Sequence, residues 1–171
     1  MSVILIGMPG SGKTTVLNEY EKIYGEQVYD TDAFIENTHG NISEIFSRYG
    51  EEYFRKLETE AIREICGYGD DAFISTGGGS VLREENVKLF KESGVIVYLK
   101  ASIDTLLKRL EGDTSRPLLK GDFKSRIESL YVERAPIYER VADITVETDG
   151  LSPREVLELI FAKLGEFREN L

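Results

Sequence analysis

The stretch Val3-Ile4-Leu5-Ile6-Gly7-Met8-Pro9-Gly10-Ser11-Gly12-Lys13-Thr14-Thr15 decides how the rest of the chain is read. Its apolar start predicts a buried strand, its glycines a tight loop, and Val16-Leu17-Asn18-Glu19-Tyr20 the continuation of a helix. Residues 7–14 fit G-x-x-x-x-G-K-[ST], a phosphate-binding loop. A phosphate cradle needs these residue types in this order. Gly10 and Gly12 have no Cβ, so the backbone can curl with its N–H groups inward and let a polyanion approach. Lys13 sets a compact positive charge at the first helical turn, within reach of β- and γ-phosphates, and the Thr14 hydroxyl is placed to ligate Mg²⁺. The partial positive charge of the helix N-terminus acts at the same point. Because strand, loop and helix follow in the order the motif requires, a glycine turn that binds nothing is set aside. A nucleoside triphosphate site is expected.

The chain of 171 residues suits one domain, with 41% hydrophobic and 30% charged residues. Its net charge of −10, from 21 Lys and Arg against 31 Asp and Glu, argues against nucleic acid or an anionic membrane as the main partner. An anion site must then be built locally, from particular Lys, Arg and backbone groups. Cys66 is the only cysteine, which excludes an intrachain disulfide and reads as core packing. The apolar run at residues 3–6 is too short for a signal peptide or membrane span, and no other run approaches about 18 residues. A cytoplasmic protein is expected.

Strand-like runs recur at 2–6, 27–30, 72–76, 95–99 and 143–147. Helical patterns separate them at about 13–24, 34–38, 43–49, 51–67, 83–92, 102–111, 122–140 and 153–165. Apolar strands alternating with helices predict an α/β fold whose parallel sheet is covered on both faces. The loop-forming stretch 112–121 reads as a flap between two helices, and no repeat or linker divides the chain.

Open parallel sheets collect ligands at the carboxyl ends of their strands. Tyr29-Asp30-Thr31-Asp32 and Thr76-Gly77-Gly78-Gly79-Ser80 fall at such ends. In extended backbone, Asp30 and Asp32 would share a face. The third strand ends without a carboxylate, so this pair is the candidate for organising the metal and receiving a hydroxyl proton; Asp32 also precedes Ala33-Phe34-Ile35, where it would make a good helix N-cap. Gly77, Gly78 and Gly79 read as a floor that lets backbone N–H groups meet a ligand. Arg55 and Glu58 are i, i+3 neighbours, which fits a surface ion pair worth about 0.2–0.5 kcal/mol as readily as a binding role. Arg109 and Arg134 are ambiguous singly, and Arg116 lies in the flap, where it could fold onto transferring phosphate. His39 stands alone and reads as a solvated loop residue.

With these pieces in place, the chain resembles the shikimate kinase family nearly end to end. The resemblance is carried by the loop 7–14, Asp30-Thr31-Asp32, Phe54-Arg55 with Glu58, Gly77-Gly78-Gly79, Arg116-Pro117-Leu118-Leu119 and Arg134-Ala135-Pro136-Ile137-Tyr138. It implies a three-layer fold like that of nucleoside monophosphate kinases. Such a fold has a five-stranded parallel sheet with helices on both faces, a lid at 112–121 and a substrate-binding helical region at about 32–60, all in a single kinase domain over 1–171. It implies transfer of the ATP γ-phosphate to the 3-hydroxyl of shikimate, with Mg²⁺, in aromatic amino-acid biosynthesis. It assigns Gly10, Ser11, Gly12, Lys13, Thr14, Thr15, Arg109 and Arg116 to the nucleotide, and Thr14 and Asp30 to the metal. Asp32, Arg55, Arg134 and the three glycines go to shikimate, with Glu58 holding Arg55 and Phe46 and Phe54 walling the ring. Asp32, Lys13 and Arg116 are the catalytic assignments, and a monomer is expected. Asn41-Ile42 and Glu51-Glu52-Tyr53 match no assigned role, and the segment after about residue 150 carries no motif. A gluconate kinase of the same fold, or an ATP-binding module without catalysis, are the competing readings.

Overall fold

The structure, a computed structural model, describes residues 1–69, 71–111 and 122–171. The expected flap at 112–121, with Arg116, lies outside the described residues. Five strands form one parallel sheet: β1 (Ser2–Ile6), β2 (Val28–Asp30), β3 (Phe73–Ser75), β4 (Gly94–Lys100) and β5 (Ile144–Glu147). Their order is β2-β3-β1-β4-β5. β1 is central, with Ile4 beside Ile74 on one neighbour and Ile96 on the other. A strand paired on both edges and covered on both faces meets no water, and Ile4, Leu5 and Ile6 are fully buried. β5 lies at the edge and alternates instead, with Ile144 and Val146 buried and Thr145 and Glu147 exposed.

The helices are α1 (Lys13–Tyr24), α2 (Thr31–His39), α3 (Ile42–Tyr49), α4 (Glu51–Cys66), α5 (Glu84–Ser93), α6 (Ile103–Leu110), α7 (Phe123–Val141) and α8 (Pro153–Glu169). Alternate residues of β1 face opposite ways, and this sorts the helices into layers. Val3 and Leu5 pack with Val16, Leu17 and Tyr20 of α1 and Ile160 and Leu164 of α8. Ile4 and Ile6 pack on the other face with Ile62 and Ile65 of α4, Phe90 of α5, Leu106 of α6 and Tyr138 of α7. A third cluster of Ile35, Ile45, Phe54, Leu57 and Ala61 joins α2, α3 and α4, so this helical region carries its own small core. Cys66 packs half-buried against the sheet, and burial pushes its thiol pKa up, as expected of a packing residue. His39 is exposed, but it ends α2 rather than lying in a loop. Among the described residues no helix is long and apolar enough to cross a membrane.

Candidate active site

The loop after β1 turns through Gly10 and Gly12, whose φ angles of 82° and 97° favour glycine. Gly12 precedes α1, whose first turn holds no acidic residue to oppose an anion. Lys13 is buried, and its Nζ donates to the carbonyls of Gly7 at 2.8 Å and Met8 at 2.9 Å. The lysine charge is thus tied back to the loop it serves. A cavity of about 490 Å³ opens over this loop, with Gly10, Ser11, Gly12, Lys13, Thr14 and Thr15 on its wall. Arg109 also lines it and donates from Nη1 to the Gly10 carbonyl at 3.3 Å. The far wall is Thr148, Leu151, Pro153 and Val156, a set the sequence reading missed. The rule that sites gather after strands would have flagged Thr148 to Leu151, which directly follow β5.

Asp30 ends β2 and begins α2. Its Oδ1 accepts from the Ala33 N–H at 3.0 Å, and its Oδ2 accepts from the Thr14 hydroxyl at 3.0 Å. The helix cap is therefore Asp30, not Asp32. With the cap at the strand's last residue, the helix starts at Thr31, earlier than the apolar pattern indicated. Asp32 consequently sits in the first helical turn and does not share an extended face with Asp30. Both carboxylates nevertheless line the same cavity. Between them, the buried Thr31 hydroxyl accepts from the Gly77 N–H at 3.0 Å, which ties the start of α2 to the glycine floor.

A second cavity of about 400 Å³ lies between α2–α4 and α7, and Arg55, Arg134, Gly77, Gly78, Gly79, Phe46 and Phe54 line it. Arg55 is 7% exposed and Glu58 0%, so the surface ion pair that their spacing allowed is a buried one. Nη1 of Arg55 donates to Glu58 Oε1 at 2.9 Å, and Nη2 to Glu51 Oε1 at 3.2 Å. Burial disfavours the Arg55 charge, but the adjoining Glu58 carboxylate, by charge and hydrogen bond, more than offsets it and raises the pKa. Burial raises the Glu58 pKa; the Arg55 charge opposes this, and the nearby Asp32 adds to it. The floor has no room for side chains. A Cβ on Gly77 would lie 2.8 Å from Glu58 Oε2 and 2.9 Å from Asp32 Oδ1, and one on Gly79 would overlap the Arg55 guanidinium. Arg134 is 3% exposed and approaches from α7. Two guanidiniums at one pocket offset the acidic surroundings and suit a carboxylate. Asn41, Ile42, Ser43 and Leu130 complete the wall. Nothing in their spacing marks them, because they arrive by the packing of α3 and α7.

The two cavities share Thr14, Asp30, Asp32, Gly77 and Gly78. A phosphate cradle and an arginine-lined pocket that meet at a pair of aspartates define a P-loop kinase of small molecules. The shikimate kinase family model matches residues 9–165. A shikimate kinase of Thermodesulfovibrio yellowstonii is 44% identical over 161 residues, covering 93% of this chain and 92% of its own. One from Coxiella burnetii is 38% identical, with 99% and 97% covered. The structure of Acinetobacter baumannii shikimate kinase in complex with shikimate superposes with a TM-score of 0.92 at 31% identity, covering 96% of this chain and 93% of that one. That from Aquifex aeolicus gives 0.82 at 35% identity, with 96% of each covered.

The chain belongs to the shikimate kinase family. Its activity is the ATP-dependent phosphorylation of shikimate, a step of the shikimate pathway.

Proposed function

We propose that this chain transfers the γ-phosphate of ATP to the 3-hydroxyl of shikimate across the wall shared by its two cavities, with Asp32 receiving or orienting the hydroxyl. The single observation that carries this reading is that Lys13 and Thr14 open onto one cavity, Arg55 and Arg134 onto the other, and Asp32 onto both. ATP lies over the loop, with Lys13 released from its own carbonyls to the phosphates and the adenine between Arg109 and the wall after β5. The shikimate carboxylate takes the two arginine forks, and its ring rests on Gly78 and Gly79. The main contribution of Asp32 is to aim the hydroxyl. In a loose phosphoryl-transfer transition state, that aim matters more than early proton removal.

The Thr14 hydroxyl and Asp30 carboxylate, 3.0 Å apart at the phosphate end, fit Mg²⁺. Among the described residues no group of three His, Cys, Asp or Glu could hold a metal unaided. That also fits an ion that takes most of its ligands from nucleotide phosphate and water. Bound there, it would neutralise developing charge between the phosphates.

From the family resemblance we assign Arg116 to the transferring phosphate, 112–121 to a lid, about 32–60 to the substrate region and the cytoplasm as location, in a monomeric single domain. ADP release measured with ATP alone and then with shikimate tests the reading. Turnover should depend on shikimate; turnover unchanged by it, or equal with gluconate, would overturn the proposal.

A further inference from the structure

Tyr138 is fully buried in the core beneath the sheet, yet its hydroxyl donates to the Gly78 carbonyl at 2.5 Å. It is thus a core residue with its one polar atom on the floor of the substrate pocket. Arg134 stands one helical turn earlier on the same helix, α7, and its charge acts on this hydroxyl. Burial raises the phenol pKa to about 12, although the nearby Arg134 charge opposes the shift. The group is a neutral donor at any working pH and gives its proton to Gly78, with the Arg134 charge close by. One hydroxyl joins the two parts of the pocket that the chain delivers separately, the glycine floor after β3 and the arginine of α7. A planar trans peptide sets its N–H opposite its carbonyl. Anchoring the Gly78 carbonyl on Tyr138 therefore also sets the direction of the Gly79 N–H. Hydrogen bonding at the carbonyl polarises that peptide and makes its N–H a better donor.

We propose that Tyr138 is a positioning residue for the acceptor substrate: its hydroxyl turns the Gly78–Gly79 peptide so that the Gly79 N–H faces the pocket, and braces the Arg134 guanidinium against the floor. The inference rests on shikimate as the acceptor. It adds a residue that touches neither substrate but governs how one of them is held.

Tyr138→Phe removes only the hydroxyl. The shikimate KM should rise about three- to tenfold while the ATP KM stays within twofold. Combined with Arg134→Lys, the two effects should be less than multiplicative, because both loosen one brace. Tyr98→Phe is the control. Its ring packs 5.1 Å from that of Tyr138 and its buried hydroxyl has no hydrogen-bond partner among the described residues, so both KM values should hold. A shikimate KM within twofold of the parent in Tyr138→Phe, or both KM values rising together with a fall in Tm, would overturn the inference. A measurement on the parent protein does not depend on how the variant folds. The Gly79 amide resonance should shift on adding shikimate without nucleotide, and an unmoved resonance overturns the inference as well. If the parent shows no turnover with shikimate, the acceptor assignment falls and this inference with it; parent turnover with an unaltered Tyr138→Phe overturns the inference alone.

Discussion

Arg55 and Glu58 stand one turn apart on α4, their Nη1 and Oε1 atoms 2.9 Å apart, at a point where neither meets bulk water. Glu58 spends one carboxylate oxygen on this contact, and Glu51 takes Nη2 from the rim. The guanidinium is thereby held above Gly79 before any substrate arrives. An arginine already oriented loses less rotamer freedom on binding.

Replacing Arg55 by Lys keeps the charge and removes the planar fork. The loss of a bidentate, charge-assisted contact is worth about 1.5–3 kcal/mol. The shikimate KM should rise on the order of tenfold to a hundredfold with the ATP KM unchanged. Steady-state kinetics with each substrate varied in turn checks this, and a shift in the ATP KM instead would remove Arg55 from the acid's site.

Gly79→Ala tests the same guanidinium from below. A Cβ there overlaps Arg55, so the arginine must leave its place above the floor. The expected result is a shikimate Kd raised by about tenfold or more, with nucleotide affinity retained. Calorimetric titration with shikimate and with ADP separates the two, and equal loss of both would mean that the loop as a whole has collapsed.

Asp30 holds two partners with two oxygens, and Asn in its place keeps the cap but not the charge. Asn and Asp cap helices about equally, so the Tm of Asp30→Asn should stay within about 2 °C of the parent. The Mg²⁺ concentration for half-maximal activity should rise, on the order of tenfold, because the proposed Mg²⁺ site would lose a carboxylate. A lower Tm with unchanged Mg²⁺ dependence would reduce Asp30 to a cap.

Glu58 links the site to stability. Its folded pKa lies above the ordinary value of 4.5, because burial and the charge of Asp32 outweigh the pull of Arg55. An acid whose pKa is raised by folding favours the fold below its unfolded pKa, and that contribution is lost as the pH climbs through the folded pKa. In Glu58→Gln the group no longer titrates. The Tm of the variant minus that of the parent should therefore grow as the pH rises from about 4, followed by thermal melts at a series of pH values. A difference that shrinks over the same range would mean that Arg55 dominates and holds the carboxyl below its ordinary value.

Much of this was legible without coordinates. The Gly7 to Thr14 loop could be read because its chemistry is local: consecutive backbone groups and a helix start make the cradle with no help from distant residues. The five strands, their parallel arrangement and the covering helices followed from apolar periodicity for the same reason. The resemblance also picked out Asp32, Arg55 and Arg134. The local reading of Arg55 was weaker, since its spacing of three from Glu58 on a helix is equally good for a solvated ion pair.

What the tertiary structure decided was burial and convergence. Arg55 became a pocket residue because α4 packs one side onto the sheet and another onto α2 and α3. Arg134 met it from α7, and Thr148 and Leu151 closed the cavity over the Gly7 to Thr14 loop from beyond β5. Asp30 took the cap because the strand ended there and left no residue for a loop. Periodicity reports which face of a segment is apolar, whereas the dielectric around a charge depends on every segment packed against it. That is why the order of elements could be read along the chain, and the buried pair of Arg55 and Glu58 only in three dimensions.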